Sequence, residues 1–153
     1  MLFRSERDLA CLSWPAFDKI PEPKAPAFRT PPLPIDGRDQ ATQAIATAQR
    51  NLALAPFAHS VKVESARLDS LRPSAPHGLV VCNPPYGKRL GQEMQARATA
   101  KELGRILRQR FQGWRAAILL PPQIAQSLGL SANATYPLSN GGLRVDLQVI
   151  IIK

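Results

Sequence analysis

No apolar run in this chain approaches the roughly 20 residues that a membrane span requires. The longest, such as 116–120, have the length of a strand. The amino terminus, MLFRSERDLACLSW, carries charges where a secretory leader needs an apolar stretch, so a cytoplasmic protein is expected. Cysteine is scarce. Cys11 and Cys82 form neither a metal-ligand pair nor a disulfide framework, and both read as reduced, buried thiols. His59 and His77 stand alone, without neighbours that would argue for a metal or a proton relay. No repeat or heptad is visible. A membrane span, a bound metal and a coiled coil are therefore all unexpected.

What is present is an ordinary soluble composition. The chain has 153 residues and 16.7 kDa, 44% apolar and 20% charged. That is room for one domain with a core of its own, and it excludes a mostly disordered chain. Proline is abundant, with 15 residues where about 5% of a chain is usual. The net charge is +9, from 20 Lys and Arg against 11 Asp and Glu, and Arg supplies 14 of the cations. The planar guanidinium fork suits phosphate, so a nucleic-acid partner is one reading of the excess. A high-arginine coding bias gives the same number, and charge alone does not choose between them.

The organisation is legible from periodicity. Residues 1–12 read as one or two helical turns. Seven prolines between Pro15 and Pro34 make that stretch an extended connection. Leu33 to Asp39 reads as a short strand ending in acid, and 40–55 has apolar residues at helical spacing. Val61 and Val63 mark a strand, 66–77 a loop, and 78–82 a continuous apolar strand of the kind buried on both faces. A helix over 93–111, a strand at 116–120 and a short helix at 123–128 follow. Strands near 133–138 and 143–152 close the chain, joined through Asn140-Gly141-Gly142, with Asn-Gly as the hairpin signal. Alternation ending in a hairpin predicts an α/β fold with a mostly parallel sheet and an antiparallel edge. Ligands of such sheets sit beyond the carboxyl ends of the strands, where Asp39 and Asn83 stand.

Asn83-Pro84-Pro85-Tyr86 is the most informative stretch. Two prolines stiffen the backbone and remove two N–H donors, leaving carbonyls that only accept. Asn83 adds an amide oxygen, and Tyr86 a flat ring. The set can accept hydrogen bonds from an amino group while a planar ring stacks alongside, which suits a nucleobase. A rigid strand-to-loop turn with Tyr86 packed on the core is the plainer alternative.

NPPY in this place resembles the signature of S-adenosyl-L-methionine-dependent amino-group methyltransferases. The longer run, Asn83 to Gly91 (NPPYGKRLG), is similar to the bacterial 23S rRNA guanine-N2 methyltransferases that usually carry a THUMP domain. The likeness covers most of the chain. It includes SWPAFD at 13–18, Ile35 to Asp39 with the following helix, and Ser139-Asn140-Gly141. It implies a Rossmann-like class I sheet, and a single partial catalytic domain spanning 1–153. It implies that Asn83 and the Pro84 carbonyl hold the target amine, with Pro85 and Tyr86 completing the pocket. Asp39 would accept from the cofactor's ribose hydroxyls, although helix capping is also open to it. An acid near the end of the third strand often touches adenine in this family; Arg67 stands there, with Asp69 two places on. Lys88 and Arg89 are the expected RNA-phosphate contacts.

The resemblance also exposes a departure. Such cofactors are cradled by a glycine-rich loop after the first strand, and no glycine occurs before Gly37. The expected fold therefore lacks its first strand and that loop, and a catalytically inactive RNA-binding remnant is the competing expectation. Adenine-N6 and protein-glutamine methyltransferases share NPPY, so the acceptor has alternatives too. Arg97, Lys101, Arg105 and Arg108 fall on one helix face, which is more often a solvated stripe than a binding site.

Overall fold

The computed structural model describes residues 34–55, 58–87 and 92–153. The expected helix over 1–12 and most of the proline-rich connection lie outside these residues, as do Lys88, Arg89 and Cys11. In chain order the elements are strand β1 (Ile35–Asp39), helix α1 (Thr42–Ala53), β2 (Val61–Ser65) and β3 (Leu79–Cys82). Then come α2 (Gln92–Arg110), β4 (Arg115–Leu120), the short α3 (Pro122–Ala125), β5 (Ala134–Asn140) and β6 (Leu143–Ile151).

The described strands make two sheets. β1 and β2 pair in parallel, Ile35 opposite Val61 through Asp39 opposite Ser65. The other four run in the order β3-β4-β6-β5. β3 and β4 are parallel, while β4–β6 and β5–β6 are antiparallel. This corrects the expectation of one mostly parallel sheet. Two of the four pairings are antiparallel, because no ladder joins β1 to β3 and the parallel part is split.

The core lies on one face of the four-stranded sheet. Alternation in β4 turns Ala116, Ile118 and Leu120 to that face, each with no exposed surface. Leu103, Ile106 and Leu107 of α2 meet them, with Ile124, Leu128, Ile150 and Ile152. Burying each large aliphatic chain is worth about 1.5–3 kcal/mol. Trp114 seals the lower end. Its ring sits edge-on to Phe111, and its Nε1–H donates to the Ala75 carbonyl at 3.1 Å. Gly78 lies flat against that ring, where a Cβ would come within 2.6 Å.

The other face corrects a second expectation. β3 does not have both faces buried: Val80 and Cys82 turn to the core, but Leu79 and Val81 are 56% and 74% exposed. α1 contributes one buried residue, Ile45, beside the β1–β2 pair.

Candidate active site

Both predicted strand ends carry their residues. β3 stops at Cys82 because the prolines that follow cannot extend the ladder, and Pro84 is buried while Asn83 and Pro85 face solvent. Gly87 then turns the chain at φ +68°, with no room for a Cβ against the Gln92 carbonyl 2.6 Å away. The start of α2 is thereby held against the tetrad. Cys82, just before Asn83, points into the core, and burial pushes its thiol above the ordinary range. It is a packing residue rather than a nucleophile.

The tetrad is internally hydrogen-bonded. The Tyr86 hydroxyl donates to Asn83 Oδ1 at 2.5 Å and accepts from Asn140 Nδ2 at 3.1 Å. Asn140 thus reaches across from the β5–β6 hairpin, a contact that sequence reasoning missed. The turn proper is Gly141-Gly142, both at positive φ (56° and 78°), while Asn140 is the last strand residue, opposite Leu143. Three residues that can each form such a turn stand in a row, and nothing local shows which two occupy it. Tyr86 also lines a cleft of about 140 Å³ with Glu93, Pro121, Gln123 and Arg144. A larger hollow of about 450 Å³ lies at the amino ends of β1 and β2, away from Asp39 and from the end where such sheets bind ligands.

Asp39 is exposed at the carboxyl end of β1. Its Oδ1 accepts the Ala41 N–H at 2.8 Å, a local turn two residues before the helix cap. The cap itself is Ala41, with no side-chain cap bond, so the capping role weighed for Asp39 is not the one it takes, and Oδ2 has no partner among the described residues. Asp69 sits elsewhere. Its side chain is held by Arg67 at 3.4 Å, and its main-chain oxygen accepts from Arg110 at 2.6 Å. That is the far end of α2 from the tetrad, about 27 Å along a helix of 19 residues. The structure does not bring Asp69 to Asn83.

The basic stripe on α2 is largely spoken for. Arg97 pairs with Glu93 at 2.7 Å and donates to the Gln123 carbonyl at 2.7 Å. Arg108 donates to the Gly129 carbonyl, and Arg105 pairs with Glu102 at 2.6 Å. Arg97 and Arg108 therefore clasp the segment after β4 onto α2. Among the described residues, no three His, Cys, Asp or Glu side chains cluster as a metal site, and no helix is long and apolar enough to cross a membrane.

An open α/β sheet closed by an antiparallel hairpin, with this tetrad at a strand's carboxyl end, is the class I, Rossmann-like, S-adenosylmethionine-dependent methyltransferase fold. SMU.472, described as a putative methyltransferase complexed with SAH, superimposes on 78% of this chain and 32% of its own, with TM-score 0.71 and 27% identity. A predicted N6-adenine-specific DNA methylase of Listeria monocytogenes superimposes on 80% and 31%, with TM-score 0.69 and 25% identity. Within that class, the chain belongs to the family described as RMKL-like, methyltransferase domain, whose model matches residues 19–144. Ribosomal RNA large subunit methyltransferase K/L of Legionella pneumophila (strain Lens) is 39% identical over 117 residues, 76% of this chain and 16% of the relative. The protein of the same name from Pseudomonas aeruginosa is 33% identical over 133 residues, 84% and 18% respectively. The chain thus spans under a fifth of these relatives' length.

S-adenosylmethionine is the cofactor expected of this class and family. The residues present fit it at one point, the carboxyl end of β1, where Asp39 offers an uncommitted carboxylate oxygen.

Proposed function

We propose that the chain acts in RNA methylation, transferring a methyl group from S-adenosylmethionine to the exocyclic amine of a guanine in 23S rRNA. One observation carries the reading. The tetrad is preassembled at a strand's carboxyl end, with Asn83 exposed, its amide oxygen fixed by Tyr86, and a cleft opening beside the tyrosine.

The bound cofactor supplies an electrophilic methyl on a sulfonium. The chain's own task is positioning. An amide oxygen has two lone pairs, and Tyr86 uses one on Asn83. The second accepts one N–H of the target amine, and the Pro84 carbonyl accepts the other. The nitrogen lone pair would then be left free on the side away from both acceptors, available to the methyl group the cofactor would supply. Tyr86 presents its ring to the base, a contact worth about 1–3 kcal/mol. Holding the reactants in line lowers the barrier without any nucleophilic side chain. The nitrogen sheds its surplus proton to water after transfer. Asp39 Oδ2 accepts from the cofactor's ribose. Lys88 and Arg89 follow the tetrad in sequence and serve the RNA phosphates.

The N6-adenine name of the Listeria protein favours one second reading, an adenine amine as acceptor. Incubating the chain with labelled S-adenosylmethionine and unmodified 23S rRNA, then digesting to nucleosides, separates the two. Labelled N2-methylguanosine supports the guanine reading, and labelled N6-methyladenosine replaces it. No label in RNA with the wild-type chain refutes both and favours an inactive remnant. Asn83→Ala is expected to lower kcat about 100- to 1,000-fold, as loss of one preorganised contact does elsewhere; unchanged kcat removes Asn83 from the mechanism.

A further inference from the structure

The hairpin side chain that reaches the tetrad has no part in the function proposed above. We infer that Asn140 is a positioning residue that sets the polarity of a three-residue relay, and through Tyr86 determines which atom Asn83 presents to the substrate amine. The inference rests on that reading of the site and deepens it.

The relay runs in one direction. Asn140 Nδ2–H donates to the Tyr86 oxygen at 3.1 Å, and Tyr86 O–H donates to Asn83 Oδ1 at 2.5 Å. A phenol has a single proton, so it can donate toward one asparagine only. With Asn140 as donor, that proton goes to Asn83, whose amide must then turn its oxygen to the tyrosine. The second lone pair of that oxygen stays available. A donor on the phenol oxygen also polarises the O–H and strengthens the next bond in the chain. If Asn140 were an acceptor, every bond would reverse. Tyr86 would donate to position 140, Asn83 would turn Nδ2–H to the phenol oxygen, and N–H groups would stand where the amine must donate.

Nothing in the turn itself requires asparagine here. The positive-φ positions are Gly141 and Gly142, and Asn140 is an ordinary strand residue paired with Leu143. Its side chain is exposed, so packing does not demand it either. The bond to Tyr86 spans 54 positions in sequence and ties the last hairpin to the loop after β3.

Asn140→Asp is the decisive substitution. It keeps side-chain size and leaves the Gly141-Gly142 turn untouched, but a carboxylate only accepts. The relay predicts that Asn140→Asp lowers kcat by about 10- to 100-fold, at least as much as Asn140→Ala, with KM for S-adenosylmethionine within about twofold. A merely structural role predicts wild-type kcat for Asp and a loss for Ala, and that ranking overturns the inference. In a Tyr86→Phe background the relay is already cut, so Asn140→Ala should add less than about a twofold effect; full additivity also overturns it.

A second readout needs no turnover. In the ligand-free 153-residue protein, the Asn83 side-chain amide NMR signals should shift on Asn140→Ala and again on Tyr86→Phe. Asn83 signals indifferent to position 140 refute the relay. A wild-type chain that transfers no methyl refutes the proposed function instead, and leaves the relay to stand or fall on those amide signals.

Discussion

Gly104→Ala sets two physical effects against each other inside α2. Alanine is the best helix former and glycine among the poorest, so propensity alone predicts a gain of about 1 kcal/mol. The structure predicts the opposite sign. A Cβ at Gly104 would stand 1.8 Å from the Leu128 carbonyl oxygen and 2.7 Å from its carbon. A carbon and an oxygen in contact sit about 3.3 Å apart, so the helix and that turn must separate by about 1.5 Å. The obstacle is backbone rather than a flexible side chain. Leu128 is 2% exposed, and the Arg108 clasp to Gly129 anchors the same segment, so neither partner yields freely. Overpacking costs about 1–3 kcal/mol, and a main-chain clash lies at the upper end. Net destabilisation should be about 2 kcal/mol, a fall in Tm of about 4–8 °C for a chain of this size. Urea titration should show a lower midpoint at unchanged slope. Gln95→Ala, exposed on the same helix, serves as control and should move stability by less than about 0.5 kcal/mol. A Gly104→Ala protein as stable as wild type would refute the close packing of α2 on Leu128.

Cys82 should resist iodoacetamide at neutral pH in the native protein and react fully in urea, since burial holds its thiol protonated; mass spectrometry of its peptide reads this, and rapid native labelling would contradict it. Asp39→Asn keeps an acceptor for the Ala41 N–H, whereas Asp39→Ala removes this exposed turn bond and should cost about 0.5–1.5 kcal/mol. If Asp39 also binds ribose, calorimetry with S-adenosylhomocysteine should show weaker binding in both variants; equal binding in Asn and wild type would leave Asp39 a turn residue alone. Glu64 is held below its ordinary value of 4.5 by the Lys62 hydrogen bond first, and by Arg38. Its contribution is therefore present above pH 4.5 and is lost as pH falls through the lower folded value. The Tm difference between wild type and Glu64→Gln should close across that fall; a difference that widened on acidification would reverse the assignment.

Much of this was readable from residue order. The helix over 93–111 and the strand at 116–120 fall within a residue or so of α2 and β4, because long periodic segments with clear proline stops leave little choice. The position of NPPY was legible for the same reason: an apolar run cut short by two prolines must be a strand end. What failed was whatever depended on a neighbour. Leu79 and Val81 look like core residues in sequence, but burial is decided by what packs on them, and no described element does. The stripe on α2 gave no sign that Arg97 and Arg108 reach main-chain carbonyls 26 and 21 positions away. Asn140 read as a turn residue because its local chemistry allows that role, and only the fold shows Tyr86 beside it.

The split between the two sheets has a dynamic consequence. Each hydrogen-bonded ladder opens on its own, and local stability follows the apolar contact behind it. Among the described residues, β1, α1 and β2 are backed by a single buried side chain, Ile45, whereas α2 and β4 share the main core. Amide exchange should therefore fall into two tiers, fast in β1, α1 and β2 and slow through α2 and β4. Asp39 stands on the fast tier and Asn83 at the edge of the slow one. A ligand that touches both must fasten one tier to the other, and the free energy of that fastening is subtracted from its affinity. Bound ligand should then be visible as slowed exchange in β1 and β2, at amides it never touches.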